Sequence, residues 1–101
     1  MIARIWKGSV RLGDKAAYHA YMQETGLPEY QACKGNRGVT LLCREYDGRA
    51  EFTFITLWDS LEAIKEFAGP AYENAVYYRE DKKFLLEMEP KVLHYEVLER
   101  V

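Results

Sequence analysis

The sequence predicts an α+β domain: a four-stranded antiparallel sheet with two helices packed on one of its faces. Three observations carry that expectation. Extended and helical segments follow one another in the order βαββαβ along 101 residues, enough for one domain and one core. The two middle strands are joined by Asp47-Gly48, a dipeptide suited to a two-residue hairpin turn. The strands are also apolar on both sides. In residues 50–58, Phe52, Phe54 and Trp58 share one side and Thr53, Ile55 and Leu57 the other, because side chains alternate across a strand. A sheet with one wet face alternates apolar with polar residues, and this one does not. Two helices cover one face, so a second copy of the chain is expected on the other, closing a barrel-like core in a homodimer.

The first strand is residues 2–10, with Ile2, Ile5, Trp6 and Val10 as strand formers and Gly13-Asp14 as the break. From Asp14 the period becomes helical: Tyr18, Tyr21, Met22 and Thr25 fall on one face, and Asp14 is placed to cap the first turn. Gly26 and Pro28 interrupt this helix, and residues 28–32 can add one more turn. Gly35-Asn36-Arg37-Gly38 reads as a loop, residues 39–46 as the second strand and 50–58 as the third. Asp59-Ser60 then caps the second helix, with Glu62 positioned for a capping box with Asp59. Leu61, Ile64, Phe67 and Ala68 form its apolar stripe, Gly69-Pro70 ends it, and residues 91–99 are the last strand. This order is ferredoxin-like. Between Pro70 and Pro90 no clean period is visible, although a short helix fits around residues 81–86. A connection of that length in a small domain is usually functional or disordered, and three tyrosines with several apolar residues argue for packing.

Composition narrows the function classes. A hydrophobic fraction of 49% beside a charged fraction of 30% is that of an ordinary soluble globular chain. The net charge of −2, with Lys82-Lys83 the only adjacent basic pair, provides no stripe for nucleic acid. Charges at Arg4 and Lys7 interrupt what would be the apolar core of a signal peptide, and no run is long enough to span a bilayer, so the expected location is cytoplasmic, with no membrane partner. Cys43 falls in a strand and reads as a buried, inert thiol; Cys33 falls in a loop. His19 and His94 are far apart with no ligand cluster, so no metal site is expected.

A few side chains remain as candidates for chemistry. Arg4 lies among apolar strand neighbours; it is either an edge or dimer ion pair, or a cation that stabilises an enolate or phenolate. His94 is either a hydrogen-bonded interface histidine or a neutral base for a phenolic proton. Trp58 is either a core anchor at a strand-to-helix junction or a flat surface for an aromatic ligand, its N–H a donor. Tyr77 and Tyr78 are adjacent and face apart, so at most one of them lines a site. Arg79 and Asp81 read as a surface ion pair, and His19 as solvated.

Three segments carry a resemblance: Ile2-Ala3-Arg4-Ile5-Trp6, Gly35-Asn36-Arg37-Gly38, and Leu57-Trp58-Asp59-Ser60-Leu61-Glu62-Ala63-Ile64-Lys65-Glu66-Phe67. In these, and in element order over the whole chain, the sequence resembles the antibiotic biosynthesis monooxygenase-like proteins of the dimeric α+β barrel superfamily. The resemblance implies a single domain over residues 1–101 and a homodimeric barrel. It also implies a cofactor-independent monooxygenase acting on a small aromatic or quinone-like molecule. His94, Tyr78 and Arg4 would be catalytic, and Trp58, Tyr72, Tyr77 and Trp6 would hold the substrate. A haem-degrading branch of the same family shares an Asn on the first strand, a Trp in the second helix and a His shortly after it. This chain has no Asn on that strand, Phe67 in the helix and Asn74-Ala75-Val76 after it, which argues against haem degradation. A noncatalytic, ligand-binding homodimer is the alternative that the resemblance leaves open.

Overall fold

The structure is a computed structural model that describes residues 1–101. Its elements are β1 (Ile2–Arg11), a 3₁₀ turn (Leu12–Asp14), α1 (Lys15–Glu24), α2 (Gly26–Ala32), β2 (Asn36–Tyr46), β3 (Arg49–Trp58), α3 (Leu61–Ala68), α4 (Asp81–Phe84) and β4 (Leu93–Glu96). The sheet order is β2-β3-β1-β4, all antiparallel, as the ferredoxin-like reading requires. β1 pairs with β3 over its whole length, Ile2 opposite Trp58 and Arg11 opposite Arg49. Asp47 and Gly48 turn the hairpin with φ of 49° and 72°, the left-handed pair that a tight two-residue turn demands.

The two faces of the sheet differ sharply. Ala50, Phe52, Phe54, Thr56 and Trp58 are buried beneath the helices, while Thr53, Ile55 and Leu57 between them are only half-buried. Register carries the second set across the sheet: Ile5 lies opposite both Ile55 and Leu93, and Ala3 opposite both Leu57 and Tyr95. On that open face Leu42, Leu93 and Tyr95 remain 48%, 60% and 50% exposed.

Several boundaries differ from the sequence reading, each for a local reason. β2 begins at Asn36, so most of the expected loop belongs to the strand, which absorbs it through a bulge between Asn36 and Gly38. Gly35 is where the chain turns, because a side chain there would collide with Ala63 of α3. Asp14 makes no capping bond to α1 and faces Arg11 instead. Ser60, not Asp59, caps α3: its hydroxyl accepts from the Ala63 N–H at 3.2 Å, which puts Ala63 where a capping box needs a carboxylate. Asp59 is held instead by both arms of Arg37 at 2.7 Å. α2 runs two turns from Gly26, with Pro28 tolerated in its first turn. β4 is four residues rather than nine, because β1 offers it only Ile2–Ile5; Leu86 N–H donates to Ser9 and Leu85 bridges Val10 farther along that edge.

The long connection is ordered by packing. Phe84 packs its ring at a tilt against Tyr18 and Tyr21, Leu85 is buried, and Asp81 opens the short α4 within the expected 81–86 window. Arg79 does not pair with Asp81: its nearest carboxylate is Glu80, at 4.0 Å, and Asp81 is 4% exposed. Cys43 is exposed rather than buried, on β2 at the edge of the sheet; Cys33 is half-buried, and the two thiols are free. His19 is exposed. No helix is long and apolar enough to cross a membrane.

Candidate ligand cavity

Between the sheet and the helices lies a tight cleft with about 20 Å³ of room for water-sized molecules. That is room for about one water. Arg4 and Trp6 of β1 and Phe54 of β3 form its floor; Tyr18, Met22, Gly26 and Tyr30 of α1 and α2 form one wall. Those four wall residues recur at a spacing of four, one row along a helical face that continues through the break at Thr25. Val76, Tyr78 and Asp81 close the other side.

Arg4 is the most unusual residue of the chain. It is 2% exposed and has no carboxylate partner. Its guanidinium donates to the carbonyls of Tyr72 and Asn74 and to Nε2 of His94 at 3.0 Å, with its head 5.7 Å from the Phe67 ring. Burial lowers its proton affinity. A guanidinium only donates, so His94 accepts through Nε2 and carries its own proton on Nδ1. Burial first, then the neighbouring Arg4, push His94 below its usual value and keep it neutral. Its ring meets Tyr72 edge-on at 5.2 Å.

Asp81 is the second buried charge on the cleft, where the sequence reading places it on the surface beside Arg79. Oδ1 accepts from the Tyr18 hydroxyl at 2.9 Å and Oδ2 from the Tyr78 N–H at 2.6 Å. Burial raises its pKa, opposed by those two bonds. Tyr30 also faces the cleft; burial pushes its hydroxyl up to about 12, with Arg4 pulling the other way.

The expected site residues divide. Arg4, Trp6 and Tyr78 line the cleft together. The Tyr78 hydroxyl donates to Glu29, and burial followed by that carboxylate pushes its pKa far up. Tyr77 faces away from Tyr78, as adjacent residues should; it packs edge-on against Trp6 at 6.4 Å and donates to the Glu89 carbonyl. The Trp6 Nε1 is buried without an acceptor of good geometry beside Tyr77. Trp58 is fully buried outside the cleft, its N–H donated to Thr56 at 2.8 Å and its ring against Phe67. His94 lies behind Arg4 rather than on the cleft, and Tyr72 borders a separate surface groove beside Asn74 and Lys91. No group of three or more metal-ligating side chains is assembled.

No family model matches the chain, and no curated protein matches its sequence. Solved structures do. A Nitrosomonas europaea protein assigned as an antibiotic biosynthesis monooxygenase superposes with a TM-score of 0.70 at 15% identity, over 98% of this chain and 100% of its own. A Bordetella bronchiseptica protein of the same assignment gives 0.67 at 20% identity, covering 96% of each chain. The haem-degrader MhuD of Mycobacterium tuberculosis, with two haems bound in its active site, gives 0.66 at 22% identity, over 100% and 99%. The chain therefore has the fold of the antibiotic biosynthesis monooxygenase-like proteins. At such identities the likeness establishes the fold alone.

Proposed function

We propose that the chain is a homodimeric, cofactor-independent monooxygenase-like enzyme that binds a small aromatic or quinone-like molecule in the cleft beside Arg4. One observation supports this above the others: a buried cation without a carboxylate, set in a wall of Trp6, Tyr30, Phe54 and Tyr78. A buried charge is expensive unless paired, and an oxyanion that develops during reaction would pair it. In this reading an anthrone, or the keto tautomer of a phenol, loses a proton, the electron-rich anion reacts with dioxygen, and its ring methylene becomes a carbonyl. One oxygen atom enters the product and the other leaves as water. The polar work falls to Arg4. His94, expected to be the base, has its Nε2 committed to Arg4 and instead orients it. Tyr78 and Trp6 would sandwich the ring, while Tyr72, Tyr77 and Trp58 would support the walls. The apolar face carrying Ile5, Ile55 and Leu93 would be the dimer interface.

MhuD raises haem as a second ligand, but neither histidine of this chain lines the cleft, so no imidazole is placed there to ligate iron. The decisive experiment is oxygen uptake with a panel of anthrones and hydroquinones, wild type against Arg4→Met. Uptake above buffer that falls at least a hundredfold in the variant supports the enzyme. Binding of the panel with no oxygen consumption would identify a ligand-binding protein instead.

A further inference from the structure

We infer that Asp81 is the second pole of this cleft, the acceptor for a ligand hydroxyl, and that the ligand is a neutral aromatic bearing that hydroxyl at one end and a conjugated carbonyl oxygen at the other. The inference rests on the aromatic-ligand reading above and adds to it a residue, an orientation and a substrate class.

Arg4 and Asp81 are 2% and 4% exposed, both line one cleft, and they form no ion pair with each other or with any other residue. Two opposite charges left unpaired in one cavity are costly, and direct contact would be the simplest relief. Each is instead held by other neighbours. Tyr18 and the Tyr78 N–H hold the carboxylate; the Tyr72 and Asn74 carbonyls and His94 hold the guanidinium. A carboxylate accepts about four hydrogen bonds and a guanidinium donates five, so both keep spare capacity. The free room of about 20 Å³ lies on the same cleft, and it is too small for a hydrated ion.

Charge selects the ligand. The two poles sum to zero, so a neutral molecule leaves the cavity neutral, whereas a carboxylate would add uncompensated negative charge. A hydroxyl matches the acceptor-only Asp81 and a carbonyl matches the donor-only Arg4. If the two are conjugated through the ring, one proton transfer serves both poles. The ligand O–H bond breaks, an O–H bond forms on Asp81, and the electron pair delocalises onto the carbonyl oxygen beside Arg4. Charge moves from one pole towards the other and the total stays zero. Burial strengthens Asp81 as a base relative to an ordinary carboxylate. A ring needs more room than the cleft provides, so a wall must move to admit it. Val76, on the cleft, makes no backbone–backbone hydrogen bond that would have to break.

Calorimetric titration with three rings of similar shape tests this: 4-hydroxyacetophenone, 4-methylacetophenone, which lacks the donor, and 4-isopropylphenol, which lacks the acceptor. Wild-type protein should bind the first at least about tenfold more tightly than either of the others, the scale of a hydrogen bond to a charged group. Asp81→Asn should reduce the hydroxyl preference to within about threefold and keep the carbonyl preference; Arg4→Met should do the converse. Wild-type protein that binds all three alike, or an Asp81→Asn variant that keeps the full hydroxyl preference, overturns the inference while leaving an aromatic site standing. Binding of none of them removes both. The wild-type comparison decides alone where a variant fails to fold.

Discussion

Replacing Leu93 by Asp should break the proposed dimer without unfolding the subunit. Leu93 is 60% exposed on the open face of β4, opposite Ile5 and next to a surface that includes Ile55, Leu57 and Tyr95. Full burial of a leucine is worth about 1.5–3 kcal/mol, so covering what remains exposed here is worth about 1–2 kcal/mol. A two-fold interface contains the position twice, which makes the loss about 2–4 kcal/mol before the cost of burying two carboxylates. The dissociation constant should therefore rise at least about a hundredfold. In the single subunit the same change touches solvent and should leave the melting temperature of the diluted protein nearly unchanged. Sedimentation velocity over a dilution series measures both species. If wild-type protein is already monomeric at micromolar concentration, or the variant dimerises as tightly as wild type, the open face is not the interface.

Three further outcomes follow from particular contacts. Ser60→Ala should cost about 1 kcal/mol in chemical denaturation through loss of the α3 cap, whereas Glu62→Ala should cost almost nothing because no capping box forms. Since burial and Arg4 hold His94 below its ordinary value of 6.5, the unfolded chain takes up that proton first as pH falls. Stability from this residue is thus complete above about pH 6.5 and declines below it. His94→Gln, which can still accept from Arg4, should flatten that slope in urea melts at a series of pH values; an unchanged slope would assign it to other groups. Asp81→Asn should raise the melting temperature at pH 7.

Most of the fold could be read from the chain because its signals are local. Asp47-Gly48 fixes a turn by its own dihedral preferences, and the alternation of Phe52, Phe54 and Trp58 with Thr53, Ile55 and Leu57 marks a strand with two distinct faces. The misses came where two local signals competed. Asp59 and Ser60 are both good caps, and only the reach of Arg37 across the strand end decides between them. The cleft was half visible: the row Tyr18, Met22, Gly26, Tyr30 could have been followed through the break at Thr25, since the spacing of four persists. Asp81 could not have been found that way. It stands in a polar stretch, Arg79 to Lys83, where charges are normally solvated, and it is buried only because Phe84 and Leu85 dock on the core and draw it inward. Trp58 reads first as a core anchor and second as a ligand surface; the Thr56 hydroxyl, two residues away on the same side of the strand, takes the indole N–H and keeps it in the core.

The placement of Arg4 and Asp81 also separates what the fold needs from what it does not. A pair of buried charges kept for stability would sit in contact or be replaced by apolar side chains, which is often neutral or favourable. Here the two are kept apart, and Asp81 has a folded pKa above its unfolded one despite two hydrogen bonds. The folded state therefore holds that proton more tightly than the unfolded chain does, and ionisation works against folding. Asparagine presents a similar shape and no charge, which is why Asp81→Asn is expected to melt higher while losing its grip on a ligand hydroxyl. Strain of that sign collects at binding sites, where a charge waits for a partner from outside. A variant that melts lower at pH 7, with ligand preferences intact, would reverse the assignment: Asp81 would then be a staple joining Tyr18 to the Tyr78 turn, and Arg4 the only pole.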